Sequence, residues 1–188
     1  MSQNNVPFAK KIPKTLEIHG DTRIDDFYWL NDRENEEVIS YLNEEKAYYE
    51  KMTSHTVNFQ KRLFEEMKSR IKEDDSSVPY HQNGYWYATR YELGKEYPIY
   101  SRTEDKHGAK AQEMFDCNEM AKGYEFFSLG GVAVSTNNEL AVFGVDTVSR
   151  REYTLKIKNL TSGEIYDDVI ENTTGGAVWA NDNTTFFY

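Results

Sequence analysis

The side chains in this sequence that could do chemistry are four histidines, one cysteine, and scattered serines and carboxylates. His19, His55, His81 and His107 stand far apart, and no two have the short helical spacing that would bring both imidazoles to one metal ion. A serine nucleophile on a strand-to-helix elbow requires G-x-S-x-G, because the glycines permit the sharp turn. The nearest approach, Phe126-Phe127-Ser128-Leu129-Gly130, has phenylalanine where the first glycine belongs. Gly94-Lys95 lacks the rest of a phosphate-binding loop. Cys117 has no partner for an internal disulfide and reads as a small buried residue in or beside a strand. Asp21, Asp25 and Asp26 have no converging ligand set. They read as caps, turn residues and ion-pair partners of Arg23. The expectation is a chain with no catalytic residue, no cofactor-binding residue and no metal ligand of its own.

Composition narrows the partners. The 188 residues carry a formal net charge of −10, and an acidic surface repels the phosphate backbone of nucleic acids. Met1 to Lys14 is polar and contains Pro7 and Pro13, so neither a signal peptide nor a membrane span is expected, and a cytoplasmic location follows. The N-x-T sequences at Asn159, Asn172 and Asn183 then read as turns rather than glycan sites.

The elements that must position these residues fall into two halves. Up to Lys72 the pattern is helical. Asn31, with Glu34 three residues on, is a candidate capping box for a helix whose apolar stripe is Val38, Tyr41, Leu42, Tyr49 and Met52. A second helix starts near Thr56, with Val57, Leu63, Phe64, Met67 and Ile71 on one face. Each amphipathic face needs a partner surface, and two helices alone make a thin core. Glu73 to Pro79 breaks the pattern and reads as a hinge or linker, with Asp74, Asp75, Ser76 and Ser77 as the candidate hinge residues.

From Val78 onward the period is that of strands, expected near 84–91, 96–102, 112–117, 126–135, 139–146, 152–159, 164–170, 175–180 and 184–188. Asn137-Asn138, Ser162-Gly163 and Asn181-Asp182-Asn183 supply turns between them. The run from Val134 to Phe143 echoes the run from Trp179 to Tyr188, and Glu96-Tyr97-Pro98-Ile99 echoes Glu152-Tyr153-Thr154-Leu155. A repeat of about 45 residues holding four strands is the mark of a β-propeller blade. Two blades and part of a third are expected, the sequence stopping as the apolar strand Thr184 to Tyr188 begins. This predicts a truncated propeller that is an N-terminal piece of a longer protein.

The chain resembles the N-terminal portion of the prolyl oligopeptidase family of serine peptidases, and within it the oligopeptidase B branch. The residues that carry the resemblance begin with His19-Gly20-Asp21-Thr22-Arg23 and Asp26-Phe27-Tyr28-Trp29-Leu30. Phe64-Glu65-Glu66, Arg70-Ile71-Lys72, Val78-Pro79-Tyr80, Gly84-Tyr85-Trp86-Tyr87, Tyr97-Pro98-Ile99-Tyr100, Phe127-Ser128-Leu129-Gly130 and Gly175-Gly176 with Val178-Trp179-Ala180 continue it, from about Val6 to Tyr188.

The resemblance implies a mainly β fold with a helical N-terminal extension at 1–72, a hinge at 73–79, and at 80–188 the first two to three blades of a seven-bladed propeller. It also implies a C-terminal α/β-hydrolase domain, outside this sequence, that carries a Ser-Asp-His triad and partners the extension. The implied function is cleavage of short peptides after Arg or Lys, with the propeller as a size gate. A prolyl-specific relative and a non-catalytic propeller scaffold are the alternatives. Arg150, Arg151 and Glu152, a charge cluster at a hairpin end, are candidates for contact with the catalytic domain.

Overall fold

The computed structural model describes residues 6–106 and 110–188. His107 therefore lies outside the described residues, as does the start of the polar N-terminal segment. The chain divides into two compact units, one ending at Ile71 and the other beginning at Lys72.

The first unit opens with a β-hairpin that the helical reading missed. Strands β1 (Lys14–Ile18) and β2 (Asp21–Asp25) pair antiparallel from Lys14↔Asp25 to Ile18↔Asp21. His19 and Gly20 form the turn with φ of 52° and 82°, the left-handed pair that lets a tight turn follow the twist of its strands. The expected capping box at Asn31 and Glu34 is also corrected. Asn31 ends a 3-10 turn (Tyr28–Asn31), and helix α1 (Glu36–Thr53) is capped by Asn35, whose side chain accepts from the Glu37 N–H at 2.9 Å. Asn35 is extended, as a capping residue must be. Helix α2 (Val57–Ser69) begins where expected, after a short 3-10 turn at Ser54–Thr56. Of the apolar stripes only Val38 is buried. Leu42, Tyr49, Phe64, Met67 and Ile71 are all more than half exposed.

The second unit is built of antiparallel meanders. The first sheet runs β3 (Tyr80–Gln82), β4 (Tyr85–Arg90), β5 (Ile99–Thr103), β6 (Gln112–Asp116), in that spatial order. A one-turn helix, α3 (Cys117–Met120), follows, capped by Asp116. The second sheet runs β7 (Ser128–Val134), β8 (Leu140–Asp146), β9 (Tyr153–Asn159), β10 (Ile165–Thr173), and a two-stranded ladder of β11 (Val178–Trp179) and β12 (Phe186–Phe187) begins a third. These are two blades and the first hairpin of another.

Strand β3 is absent from the sequence expectation because its three residues are all exposed and show no alternation. The strand expected at 175–180 shrinks to two residues, because Gly175 and Gly176 belong to the crossing from one blade to the next.

The core lies between the two sheets. Tyr87, Met114 and Phe115 of the first blade meet Ala141, Phe143 and Leu160 of the second, and the Phe115 and Phe143 rings sit 4.8 Å apart. Burying each such side chain contributes about 1.5–3 kcal/mol. The repeat seen in sequence is the repeat of the blades. In the second blade Ser135 N–H donates to Leu140 C=O and Asn138 N–H to Ser135 C=O. In the third, Ala180 N–H donates to Thr185 C=O and Asn183 N–H to Ala180 C=O. Asn138 and Asn183 close these turns at φ of 64° and 58°. The other echo aligns the third strands, where Ile99 and Leu155 are both fully buried.

Candidate functional site: the inter-blade cleft and its rims

A cleft of about 580 Å³ lies between the face of the first sheet and β7 and reaches β11, with Tyr80, Tyr87, Tyr100, Leu129, Val132 and Trp179 among its walls. Tyr80 stacks on Tyr87 at 5.3 Å because the two are cross-strand partners on one face of the β3–β4 pair. Burial raises the pKa of Tyr80 and of Tyr100. Trp179 donates its indole N–H to the Ala133 carbonyl at 2.9 Å, fixing the third blade on the edge of the second.

Ser101, Ser135 and Ser128 have structural partners. Ser101 donates to the Ala88 carbonyl, Ser135 bonds Asn137, and Ser128 lies 3.4 Å from the Tyr153 hydroxyl. His19 is in the hairpin turn, His55 in the 3-10 turn before α2, and His81 packs its ring 5.0 Å from Trp86. None of those serine hydrogen bonds goes to a histidine. Cys117 is buried, and that burial, with Asp116 beside it, pushes the thiol up to about 12, where it is inert as a nucleophile. What the cleft and its rims can offer is shape, aromatic surface and hydrogen bonds.

A buried and a half-buried cation tie the blades together, and sequence reasoning did not single them out. Arg102, on β5, is 3% exposed; it donates to Gln112 Oε1 at 2.7 Å and to the Asn138 carbonyl of the second blade at 2.9 Å, with its guanidinium over the Tyr85 ring. Lys158, on β9, reaches back to the Met114 carbonyl of the first blade at 2.7 Å and lies over Phe115. Burial lowers its pKa, against the opposing pull of Glu113. The available signal was the echo itself, which continues past Ile99 and Leu155 to put these two cations at equivalent positions.

At the other end of the second blade, the crossing to the third is packed through glycine. A Cβ on Gly131 would stand 1.7 Å from the Gly175 carbonyl, and Gly175, at φ +85°, lies against the Tyr153 ring. This close approach is why Gly130, Gly131 and Gly175 stand where they do.

The rims hold the remaining candidates. Arg150, Arg151 and Glu152 lie in the β8–β9 loop and are all exposed. The loop is organised from beneath by Asp146, whose carboxylate accepts from the N–H groups of Val148, Ser149 and Arg151 at 2.8–2.9 Å. Burial opposes ionisation of Asp146, yet these backbone donors outweigh it and hold the pKa below its usual value. Of the hinge candidates, Asp74 is exposed, while the Asp75 carbonyl accepts from Tyr91 N–H. Ser76 bridges Arg90, and Ser77 exchanges bonds with Thr89 through its own N–H and hydroxyl. The three therefore run along the β4 edge as an extension of the first sheet.

In the first unit Asp25 caps the Phe27 N–H and Asp26 pairs with Lys11 at 3.3 Å. The acidic residues thus cap and pair as expected, but the cation in the ion pair is Lys11 rather than Arg23.

The model of the family described as prolyl oligopeptidase, N-terminal β-propeller domain, matches residues 7–188. Among curated proteins the chain is 36% identical to a dipeptidyl aminopeptidase BI of Pseudoxanthomonas mexicana, covering 96% of this chain and 27% of that protein. It is 32% identical to Protease 2 of Moraxella lacunata, covering 97% and 28%. Among solved structures it superposes on oligopeptidase B from Leishmania major with a TM-score of 0.81 and 30% identity, covering 94% of this chain and 28% of that one. The chain thus spans a little over a quarter of the length of the relatives it matches.

Proposed function

The chain belongs to the prolyl oligopeptidase family, and from that premise we propose that it serves as the gate-forming part of a serine oligopeptidase that cleaves short peptides after arginine or lysine. The observation that carries this reading is the joint likeness to Protease 2 and to oligopeptidase B over nearly the whole chain. The blades restrict access by size, because a peptide must be short and extended to pass a wall built of tightly latched sheets. Bond cleavage is acyl transfer by an activated serine with an oxyanion hole, supplied by a catalytic domain carried elsewhere in the protein.

The exposed stripes of α1 and α2 support a covering partner, since an apolar face of that extent is stable only when buried. That partner is the protein's own catalytic domain. In this reading Arg150, Arg151 and Glu152 meet it across the propeller rim, and motion of the gate begins near Asp74, ahead of the segment tied to β4. Charge reversal at Arg151 is expected to change the activity of the whole enzyme and its salt dependence; unchanged values of both would remove the loop from the interface.

A second reading, removal of dipeptides from free N-termini, is favoured by the 36% identity to a dipeptidyl aminopeptidase. One set of reporter peptides separates the two. Full-length protein is offered N-terminally blocked peptides ending in Arg, Lys or Pro, and dipeptide reporters with a free amine. Cleavage of blocked Arg and Lys reporters supports the first reading. Turnover restricted to free-amine dipeptides supports the second, and cleavage only after Pro moves the protein to the prolyl branch. No cleavage at all leaves a propeller used as a binding scaffold.

A further inference from the structure

The turn between β3 and β4 is Asn83-Gly84, with φ of 47° and 83°. Asn83 is exposed, and among the described residues its side chain makes no hydrogen bond. Its main-chain carbonyl, in contrast, accepts from Asn138 Nδ2 of the second blade at 2.9 Å. Other turn and cap asparagines are engaged through their side chains: Asn35 and Asn159 accept from backbone N–H groups, Asn118 bonds the Tyr97 main chain, Asn137 bonds Glu139, and Asn183 bonds Asn137. Asn83 thus combines a solvent-exposed amide free to rotate with a following residue that has no Cβ to obstruct its nitrogen.

We propose that Asn83 is a site of spontaneous deamidation, and that its modification releases the latch between the first and second blades. The Gly84 amide loses its proton to solvent base, and its nitrogen attacks Asn83 Cγ. A C–N bond forms, the Cγ–Nδ2 bond breaks, and ammonia leaves with a proton from water. Water then opens the cyclic imide at either carbonyl, leaving aspartate or isoaspartate. No oxidant, reductant or enzyme is required. The isoaspartate product threads the former Cβ into the main chain and lengthens the tight turn whose register is Gln82↔Tyr85. The former main-chain carbonyl of residue 83 becomes a free carboxylate and the Cγ carbonyl takes its place in the lengthened chain, so the acceptor of Asn138 Nδ2 leaves its position. Among the described residues Asn138 Oδ1 is already buried without a partner, and the amide then loses its remaining bond. The device is a one-way clock built into the propeller rim.

The test uses the full-length protein, aged at neutral and mildly alkaline pH and then digested for peptide mass mapping with isoaspartate detection. Expected is loss of the Asn83 amide before that of any asparagine named above, faster at the higher pH. Hydrogen exchange at the 136–139 turn should rise in step with the isoaspartate fraction. Asn83→Gln keeps the main-chain carbonyl and disfavours the ring closure, so it should hold both the amide and the slow exchange. An Asn83 amide that outlasts those of Asn137 and Asn183 overturns the site. Isoaspartate at Asn83 with unchanged exchange at 136–139 overturns the latch.

Discussion

The side-chain carbonyl of Asn183, in the first turn of the third blade, accepts the main-chain N–H of Asn137 in the second at 2.9 Å, and the Thr136 hydroxyl at 2.7 Å. At the same position one blade earlier, Asn138 reaches the Asn83 carbonyl of the first. Successive turns are therefore linked side chain to main chain, each by an asparagine in the left-handed region. One residue type does both tasks, because its short amide tolerates positive φ and still reaches a neighbour.

Asn183→Ala removes both bonds and places an alanine at φ 58°, so thermal unfolding should show a loss of about 2–3 kcal/mol. Asn183→Gly removes the bonds but relieves the backbone and should lose only about 1–2 kcal/mol. Equal losses for the two would show that the left-handed conformation carries no cost here.

Gly131→Ala should be the most damaging small substitution in the second unit. Its new methyl would meet the Gly175 carbonyl, which is backbone and cannot rotate away, and a loss above about 3 kcal/mol or failure to fold is expected. Gly163→Ala is the control, since that glycine also has positive φ but faces open space, and it should lose about 1 kcal/mol. Chemical denaturation of the two variants decides between crowding and backbone strain.

Arg102→Lys keeps the charge but cannot reach Gln112 and Asn138 together with a planar fork. A loss of about 1–2 kcal/mol is expected, against about 3 kcal/mol for Arg102→Met, which also leaves the acceptors unpaired. Equilibrium unfolding of both variants measures the difference, and indistinguishable values would mean that the fork geometry is unimportant.

Asp182 supplies a pH test. Its carboxylate accepts from the N–H groups of Thr184 and Thr185 and from the Thr185 hydroxyl, which lowers its pKa to about 2. The folded value lies below the unfolded value of about 3.9, so the carboxylate's contribution is fully present above pH 4 and is lost as pH falls through 2. Asp182→Asn should therefore be less stable than the parent at neutral pH and converge on it near pH 2. A carboxylate titration by NMR with a midpoint near 4 would contradict the assignment.

Expressed by itself, the chain should self-associate, because Phe64 and Met67 on α2, Ile71 just beyond it, and the third blade's Val178 and Phe187 leave apolar surface open to water. Phe64→Glu with Met67→Glu should reduce that association in sedimentation measurements. A sharp, monomeric, cooperative unfolding transition in the unsubstituted chain would show that these faces are satisfied.

The sequence by itself determined the class of element almost everywhere its period was sustained. Val57 to Met67 keeps one apolar face at helical spacing, and Leu140 to Asp146 is a continuous apolar strand bounded by turn residues, so both were legible. So was the blade repeat, because the Asn137-Asn138 and Asn181-Asp182-Asn183 turns obey local backbone chemistry. The hairpin at Lys14–Asp25 and the strand at Tyr80–Gln82 were hidden, because short exposed strands bury no face and leave no alternation to read.

What only the tertiary structure decided is which residues join one blade to the next. Arg102 meets Asn138, Lys158 meets Met114, and Gly131 meets Gly175 across separations that no local pattern encodes. Periodicity reports the face that a residue presents. The partner on that face depends on how two twisted sheets stack, and that is settled only when the whole core packs.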